Sequence, residues 1–259
     1  MDSKKVVLIT GGGKGIGFGI ATAFAKEGYN IVITGRTKST LENAKKELED
    51  KYGVEVLDVV ADGGIESDVK HAIEATIDKF GHLNALINNA QASKSGLKLE
   101  EHSADDFALA INSGLYGTFF FMREAFPYLK ETHGSIVNFA SGAGLNGRPG
   151  QSSYAASKEG IRGLSRVAAN EWGEYGINVN VVCPLVMTPQ LEQWREDYPE
   201  LYEQTIQAIP MKRFGDAEKD IGRVCVFLVS DDASYMSGET IALQGGGALR
   251  PWKNLKIEN

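Results

Sequence analysis

The sequence is poor in the residues that build disulfide scaffolds and metal centres. It has only two cysteines, Cys183 and Cys225, and four histidines in 259 residues. Both cysteines stand within apolar runs, where a cysteine behaves as a small hydrophobic side chain. We therefore expect two buried thiols, and neither a disulfide nor a metal site.

Excess positive charge and long apolar runs are also absent from the sequence. The formal net charge is -7, and no long basic run occurs, which argues against general nucleic-acid binding. No apolar run is long enough to span a membrane, and residues 1–5 lead into a strand pattern without the layout of a signal peptide. We expect a cytoplasmic protein with no nucleic-acid partner and no membrane partner.

Strand and helix patterns alternate along the chain. The strand patterns cover residues 6–10, 30–34, 55–61, 83–87, 134–141, 177–183 and 239–244. The stretches between them have helical periodicity, with two helical segments expected across residues 103–131. This alternation predicts an α/β fold with a doubly wound, Rossmann-type parallel sheet of about seven strands and helices on both faces. No repeat or linker interrupts it, so residues 1–259 are predicted to form one domain.

A glycine-rich turn follows the first strand and opens a helix. Strand, glycine turn and helix together allow backbone N–H groups and a helix N-terminus to hold a pyrophosphate. A tight turn with only a structural role is the alternative. The residues of this turn that we predict to bind a dinucleotide are Thr10, Gly11, Gly13, Lys14, Gly15, Ile16 and Gly17.

Arg36 and Thr37 follow the second strand, where an NAD site usually has an acidic residue. No acid occurs there, and an arginine accommodates the 2′-phosphate of NADP(H). Lys14 adds a second positive charge. NADP(H) is therefore the predicted cofactor, and the alternative is that Arg36 is only a solvated loop charge.

Two later strand ends face the same predicted site. Asp62 and Gly63 end the third strand, where an adenine can rest. Asn88, Asn89 and Ala90 end the fourth. We expect the asparagine side chains first to lock neighbouring loops by hydrogen bonds, and second to contact the cofactor.

Tyr154 and Lys158 are four residues apart, so they lie on one face of a helix. A nearby ammonium lowers the tyrosine pKa from about 10, which makes the pair a proton donor and acceptor near neutral pH. Ser141 ends the fifth strand at the edge where ligands of such sheets bind. A Tyr-x-x-x-Lys spacing also arises by chance on surfaces, but Ser141 and the glycine turn favour a catalytic site.

Residues 188–214 interrupt the alternation of strands and helices. Pro189, Pro199 and Pro210 separate short helical pieces that carry apolar and aromatic side chains. Such a segment beside a cofactor site is typical of a lid over an apolar substrate. The alternative is plain packing against the body of the protein or against another subunit.

Together these features resemble the short-chain dehydrogenase/reductase superfamily over almost the whole chain. The matched positions are residues 10–17, Asn88, Asn89, Ala90, Ser141, Tyr154, Lys158, Pro184, Thr188 and residues 238–240. The resemblance implies that Tyr154 is the acid/base, Ser141 hydrogen-bonds the reacting carbonyl or hydroxyl, and Lys158 lowers the tyrosine pKa and holds the nicotinamide ribose. It also implies cofactor contacts at Asn89, Ala90, Pro184, Val186 and Thr188, and a homotetramer or homodimer.

Three positions depart from the family pattern. Gln91 and Leu185 each replace a glycine, and we predict that both contact the substrate. Gly114 stands where the family has an asparagine of the proton relay. Either a local bulge recruits Asn112, or water fills the space, and the regular sequence register downstream favours water.

A narrower resemblance covers residues 87–96, 113–119, 138–145, 159–172 and 180–188, which are similar to bile-acid 12α-hydroxysteroid dehydrogenases of gut bacteria. It implies reversible, NADP(H)-dependent oxidation of a bile-acid 12α-hydroxyl to the 12-oxo form. Arg195, Lys212 and Arg250 are candidates for binding the bile-acid carboxylate. The rivals are a generic NADPH-dependent ketoreductase acting on acyl thioesters or sugars, and an NADP(H)-sensing protein without turnover.

Overall fold

Seven parallel strands form a single sheet in the computed structural model, which describes residues 4–248, apart from the side chains of residues 189 and 190. The strands are β1 (Val6–Thr10), β2 (Asn30–Gly35), β3 (Val56–Val60), β4 (Ala85–Asn88), β5 (Ser135–Phe139), β6 (Asn178–Pro184) and β7 (Thr240–Leu243). Their order is β3-β2-β1-β4-β5-β6-β7. The seven predicted strands and the fold class are confirmed.

Helices cover both faces of the sheet. They are α1 (Gly15–Lys26), α2 (Lys38–Tyr52), α3 (Glu66–Phe80), α4 (Ala104–Ala110), α5 (Gly117–Thr132), α6 (Gly142–Asn146), α7 (Ser152–Trp172), α8 (Pro189–Asp197), α9 (Pro199–Ala208) and α10 (Arg223–Leu228). One buried apolar cluster includes residues of α1, α2 and α10, and another includes residues of α3, α5 and α7. Since both faces are covered, the inner strands are apolar throughout, and all five residues of β1 are buried.

The strand order reverses between β1 and β4. The chain runs outward from β1 to β3, then returns to the other side of β1 and continues from β4 to β7. The loops after β1 and β4 therefore separate, which opens a crevice at the carboxyl edge of the sheet. This reversal determines where a ligand can enter.

A π-helical turn over Ile111–Tyr116 joins α4 to α5. The sequence predicted two helical segments here, and the structure connects them through this wider turn without a loop. The turn is a local bulge, yet it leaves the Asn112 side chain exposed while Gly114 is buried. The bulge therefore does not recruit Asn112 into the interior.

Cys183 and Cys225 are both buried free thiols, as predicted. Across residues 4–248, no helix combines the length and the apolar character needed to cross a membrane. The same residues contain no group of three or more histidine, cysteine, aspartate or glutamate side chains arranged to hold a metal ion.

Candidate active site

A cavity of about 430 Å³ lies at the carboxyl edge of the sheet, where the strand order reverses. Its lining includes most of the residues predicted to bind the cofactor. These are Thr10, Gly11, Gly13, Lys14, Gly15, Ile16, Gly17, Arg36, Thr37, Asp62, Gly63, Asn89, Ala90 and Thr188, and Gln91 also lines it. Segments that follow five different strands, namely β1, β2, β3, β4 and β6, therefore meet in one cleft.

The glycine turn brings the backbone close to this cavity. A Cβ atom on Gly17 would lie less than 3 Å from the carbonyl oxygen of Gly11, so only glycine fits there. Gly15 has φ +55°, a conformation that favours glycine, and α1 begins at this residue. The first N–H groups of α1 have no partner within the helix, which makes this end suited to a phosphate.

Thr10 ties the end of β4 to the glycine turn. Its Oγ1 accepts hydrogen bonds from the backbone N–H groups of Asn89 (3.0 Å) and Ala90 (2.9 Å). The Asn89 side chain donates in return to the Thr10 carbonyl oxygen (3.0 Å), and Asn88 Nδ2 donates to Asn138 Oδ1 (2.8 Å). The predicted structural role of the two asparagines is confirmed.

Arg36 lies at one end of the cavity with its side chain largely exposed. Its guanidinium is 3.8 Å from the Asp62 carboxylate, a loose contact between partly solvated groups that contributes little to stability. Lys14 is exposed in the glycine turn. Two positive side chains therefore border the cavity, and the only acid among its lining residues is Asp62.

Ser141, Tyr154 and Lys158 are held by neighbouring elements. Ser141 follows β5 and caps α6, where its Oγ accepts a hydrogen bond from the Ala143 N–H (3.1 Å). Tyr154 and Lys158 lie on α7, with the lysine Nζ 5.5 Å from the centre of the tyrosine ring. Lys158 Nζ also donates to the carbonyl oxygen of Phe139, the last residue of β5 (2.6 Å).

Burial governs the pKa values of this pair. It raises the pKa of Tyr154, although the neighbouring Ser141 hydroxyl lowers it in part. Burial also lowers the pKa of Lys158 from 10.5 to about 7. Lys158 is not among the groups that shift the Tyr154 pKa here, since its amine donates to the Phe139 carbonyl oxygen. The expectation that Lys158 lowers the tyrosine pKa stays a prediction.

Several predicted site residues do not line this 430 Å³ cavity, namely Ser141, Tyr154, Lys158, Pro184, Leu185 and Val186. The Val186 side chain is buried in the apolar core, and its backbone pairs with Gly215. Leu185 borders a second cavity of about 320 Å³ beside the end of β7. Pro184 is half-buried at the end of β6. The contacts of these residues with cofactor or substrate stay predictions.

The segment 188–214 forms α8, α9 and a connection to Phe214. Thr188 caps α8 by accepting a hydrogen bond from the Leu191 N–H (3.3 Å). Ile206, Ile209 and Phe214 form a small buried cluster that anchors the end of the segment. Farther out, the exposed apolar side chains are Tyr198, Leu201 and Met211.

Two of the three basic side chains that were candidates for binding a substrate carboxylate contact other groups within the protein. The Arg195 guanidinium lies 5.9 Å from the centre of the Tyr202 ring. Lys212 Nζ donates to the Gln207 carbonyl oxygen (2.6 Å). Arg250 lies outside the described residues.

Ser113 is a site residue that sequence reasoning missed. Its Oγ accepts a hydrogen bond from the Ala92 N–H (3.0 Å) and lies 2.6 Å from the Leu109 carbonyl oxygen, to which it donates. It therefore ties the chain after β4 to the π-helical turn. A single serine within a helical pattern does not predict such a hydrogen bond, since its partner Ala92 is 21 residues away in the sequence.

Comparison with known proteins identifies the family. A family profile described as "Enoyl-(Acyl carrier protein) reductase" matches residues 11–247. The chain is 60% identical over 253 residues to a 12α-hydroxysteroid dehydrogenase from Clostridium sp., covering 95% of this chain and 98% of the relative.

Solved structures agree with this result. The crystal structure of levodione reductase superposes with a TM-score of 0.89 at 35% identity, covering 95% of this chain and 98% of the other. The structure of an NAD⁺-bound xylitol dehydrogenase gives a TM-score of 0.88 at 30% identity, with coverage of 94% and 99%. With the glycine turn and the paired tyrosine and lysine in place, the chain belongs to the short-chain dehydrogenase/reductase family of nicotinamide-dependent oxidoreductases.

Proposed function

We propose that the protein is an NADP(H)-dependent 12α-hydroxysteroid dehydrogenase that reversibly oxidises the 12α-hydroxyl of bile acids to the 12-oxo form. The observation that carries this proposal is the 60% identity to a 12α-hydroxysteroid dehydrogenase over 95% of the chain. Ser141, Tyr154 and Lys158 are all present, with Ser141 directly after β5 and the other two on α7. The apolar and aromatic side chains of the segment 188–214 suit a rigid, apolar sterol.

The reacting hydroxyl is held and deprotonated by side chains of this chain. Ser141 donates a hydrogen bond to the substrate oxygen, and Tyr154 takes the hydroxyl proton during oxidation and returns it during reduction. Lys158 holds the nicotinamide ribose. When bound, the nicotinamide supplies the hydride acceptor or donor at its C4 atom, so the alcohol loses one hydride and one proton to become the ketone.

The proposed cofactor is NADP(H), and the support for it is that two positive side chains line the cavity. Arg36 offers a planar, always charged guanidinium, and Lys14 is exposed nearby. The loose contact with Asp62 at 3.8 Å leaves Arg36 hydrogen-bonding capacity for a phosphate.

Arg36→Asp tests this assignment. We expect the substitution to weaken NADPH binding by at least about 10-fold relative to NADH, since a charge-assisted phosphate contact becomes a repulsion. Fluorescence titration with both nucleotides measures the ratio. Lys46→Asp, which makes the same charge change on the exposed side of α2, is the control. An unchanged NADPH to NADH ratio in Arg36→Asp would remove the 2′-phosphate assignment.

The substrate is proposed to lie between the reaction centre and the segment 188–214, which acts as a lid. Leu185 packs against the apolar anchor of this segment, and Tyr198, Leu201 and Met211 present apolar surface. Gln91 and Leu185 are the proposed substrate contacts outside the lid. Arg195 and Lys212 remain candidates for the bile-acid carboxylate, since both lie in the lid.

The decisive experiment compares two bile acids with purified protein and NADP⁺. Deoxycholate has a 12α-hydroxyl and no 7-hydroxyl, whereas chenodeoxycholate has a 7α-hydroxyl and no 12-hydroxyl. We expect NADPH formation with deoxycholate alone. Turnover of chenodeoxycholate alone would move the chemistry to another ring position, and no turnover of either would contradict the steroid assignment.

A carrier-protein reductase is the second candidate, favoured by 36% identity over 246 residues to a 3-oxoacyl-[acyl-carrier-protein] reductase of Staphylococcus epidermidis. Such an enzyme needs a basic surface for its acidic carrier, and a chain of net charge -7 does not favour one. Turnover of a 3-oxoacyl thioester in the absence of bile-acid turnover would support it. A nucleotide sensor without turnover has no use for Ser141, Tyr154 and Lys158.

We also propose a cytoplasmic homotetramer, or a homodimer. Apolar and aromatic side chains are exposed on α4, on the π-helical turn, on α5 and on α7, namely Phe107, Leu109, Tyr116, Phe119 and Val167. Exposed apolar side chains on adjoining helices are typical of a surface that packs against another subunit.

A further inference from the structure

Polar atoms are buried between the end of β4 and α7. Both atoms of the Gln91 carboxamide and the Ser157 hydroxyl are inaccessible to solvent, and they have no hydrogen-bond partner among residues 4–248. Buried polar groups in proteins are nearly always hydrogen-bonded to protein atoms or to ordered water. Since these atoms form no hydrogen bond with each other, a buried water between them is the partner that would satisfy both.

Gly114 makes this arrangement possible. A Cβ atom at this position would lie less than 3 Å from Ser157 Oγ and from Cδ and Nε2 of Gln91. A side chain at position 114 would thus occupy the space that the carboxamide now fills. Because both polar groups lie within 3 Å of this one point, the Gln91 amide and the Ser157 hydroxyl are neighbours across Gly114.

The backbone around Gly114 is held on two sides. Ser113 Oγ accepts a hydrogen bond from the Ala92 N–H (3.0 Å), which fixes the residue next to Gln91 against the π-helical turn. On the other side, the Leu115 side chain packs against Gly160 of α7. A Cβ atom added to Gly160 would lie less than 3 Å from the Leu115 side chain. The π-helical turn therefore contacts the chain after β4 on one side and α7 on the other.

We propose that Gln91 is a positioning residue of the reaction centre. Its carboxamide is linked to the Ser157 hydroxyl through one buried water, and so holds the turn of α7 that carries Tyr154 and Lys158. Ser157 lies three residues after Tyr154 and immediately before Lys158, so a displacement at Ser157 moves both. The carboxamide is inaccessible to solvent, so the proposed substrate contact of Gln91 falls to the rest of its side chain, which lines the cavity. The positioning role rests on the proposed function for the choice of assay.

A double-mutant cycle tests the bond. Gln91→Met keeps the length of the side chain and removes its polar atoms, and Ser157→Ala removes the other partner. We expect each variant to lower kcat by about 10-fold, the effect of one lost buried hydrogen bond, and the double variant to lose no more than either one. The KM for the nucleotide should stay within about two-fold, since the glycine turn is untouched. Asn43→Leu, which removes an exposed carboxamide from α2, is the control.

If the loss of kcat in the double variant equalled the product of the losses in the two single variants, the proposal would be overturned. An unchanged kcat in either single variant would also overturn it. A rise in nucleotide KM that matches the fall in kcat would also overturn it, because general loosening of the fold would then explain both.

Thermal unfolding of the protein without substrate gives a second readout. Gly114→Ala should lower the Tm more in the wild-type background than in Gln91→Ala, because the added methyl group competes with the carboxamide for space. Gly163→Ala, on α7 with open space around it, is the control and should not lower the Tm. Equal losses in both backgrounds would overturn the proposed packing. This readout needs no turnover, so a wild-type protein inactive on deoxycholate would contradict the proposed function and leave this test intact.

Discussion

At the scale of single residues, Tyr154 and Lys158 lie in a poorly hydrated part of the protein, where burial favours the neutral form of each. Desolvation raises the pKa of the tyrosine and brings that of the lysine to about 7. The Phe139 carbonyl oxygen accepts a hydrogen bond from the lysine and holds it at the end of β5. A protonated tyrosine near neutral pH is the form that donates a proton when a ketone is reduced.

Tyr154→Phe tests the acid/base role. The substitution removes one hydroxyl and preserves the ring, so we expect kcat to fall by at least about 100-fold while NADPH affinity is kept. Steady-state kinetics with deoxycholate and fluorescence titration with NADPH measure the two quantities. Normal turnover by this variant would exclude Tyr154 as the acid/base.

Lys158 should also make stability depend on pH. Its pKa is about 7 in the folded protein and 10.5 ordinarily, so between these values the unfolded chain binds a proton that the folded chain does not. Stability therefore rises with pH across this window, and each unit of the pKa difference corresponds to about 1.4 kcal/mol.

Comparison with Lys158→Met isolates this contribution. Between about pH 7 and about pH 8.5, the Tm of the wild-type protein should rise relative to that of the variant, which has the same two cysteines. Calorimetry at several pH values measures the difference. Parallel Tm curves for the two proteins would show that the lysine pKa is not lowered.

At the scale of elements, two segments depart from the regular alternation of strands and helices. The π-helical turn over Ile111–Tyr116 brings Gly114 against α7, and the segment 188–214 places α8 and α9 beside the end of β6. The second segment has only a small anchor, in which Phe214 packs beside Tyr202 with ring centres 5.9 Å apart. A small buried cluster is expected to open more easily than the core.

Phe214→Ala should therefore loosen the lid selectively. We expect faster amide hydrogen exchange in residues 189–208 and a several-fold higher KM for deoxycholate, with little change in the KM for NADP⁺. Mass spectrometry of hydrogen exchange measures the first effect. Ile73→Ala, a buried change on α3, is the control that should lower the Tm without this local effect. If amide hydrogen exchange in Phe214→Ala became faster by the same factor throughout the protein, this result would argue against a lid that opens independently.

At the scale of the whole molecule, the apolar side chains exposed on α4, α5 and α7 predict self-association. We expect light scattering to give a mass four times that of the 28.0-kDa chain, or twice that mass for a dimer. Phe119→Glu on α5 should shift the mass toward the monomer, since it places a charge in the proposed interface. A wild-type protein that stays monomeric at micromolar concentration would contradict the proposed assembly.

Local patterns in the sequence were enough to predict the sheet and the nucleotide cleft. The strands are recognisable from short apolar runs, and the glycine turn from the spacing of residues 10–17, because these features depend on residues adjacent in the chain. Ser141, Tyr154 and Lys158 are recognisable in the same way, by their spacing and by the family resemblance. Arg36 was predicted to bind the cofactor because it lies directly after β2.

Only the tertiary structure decided the features that join distant residues. Gln91 fills the space over Gly114 because Ser113 ties two segments together, and no local pattern predicts which side chain occupies that space. The direction of the Lys158 amine and the raised pKa of Tyr154 likewise depend on burial, which is a property of the folded chain. The sequence thus determined the fold and the identity of the proposed catalytic residues, whereas packing between elements determined their electrostatics and support.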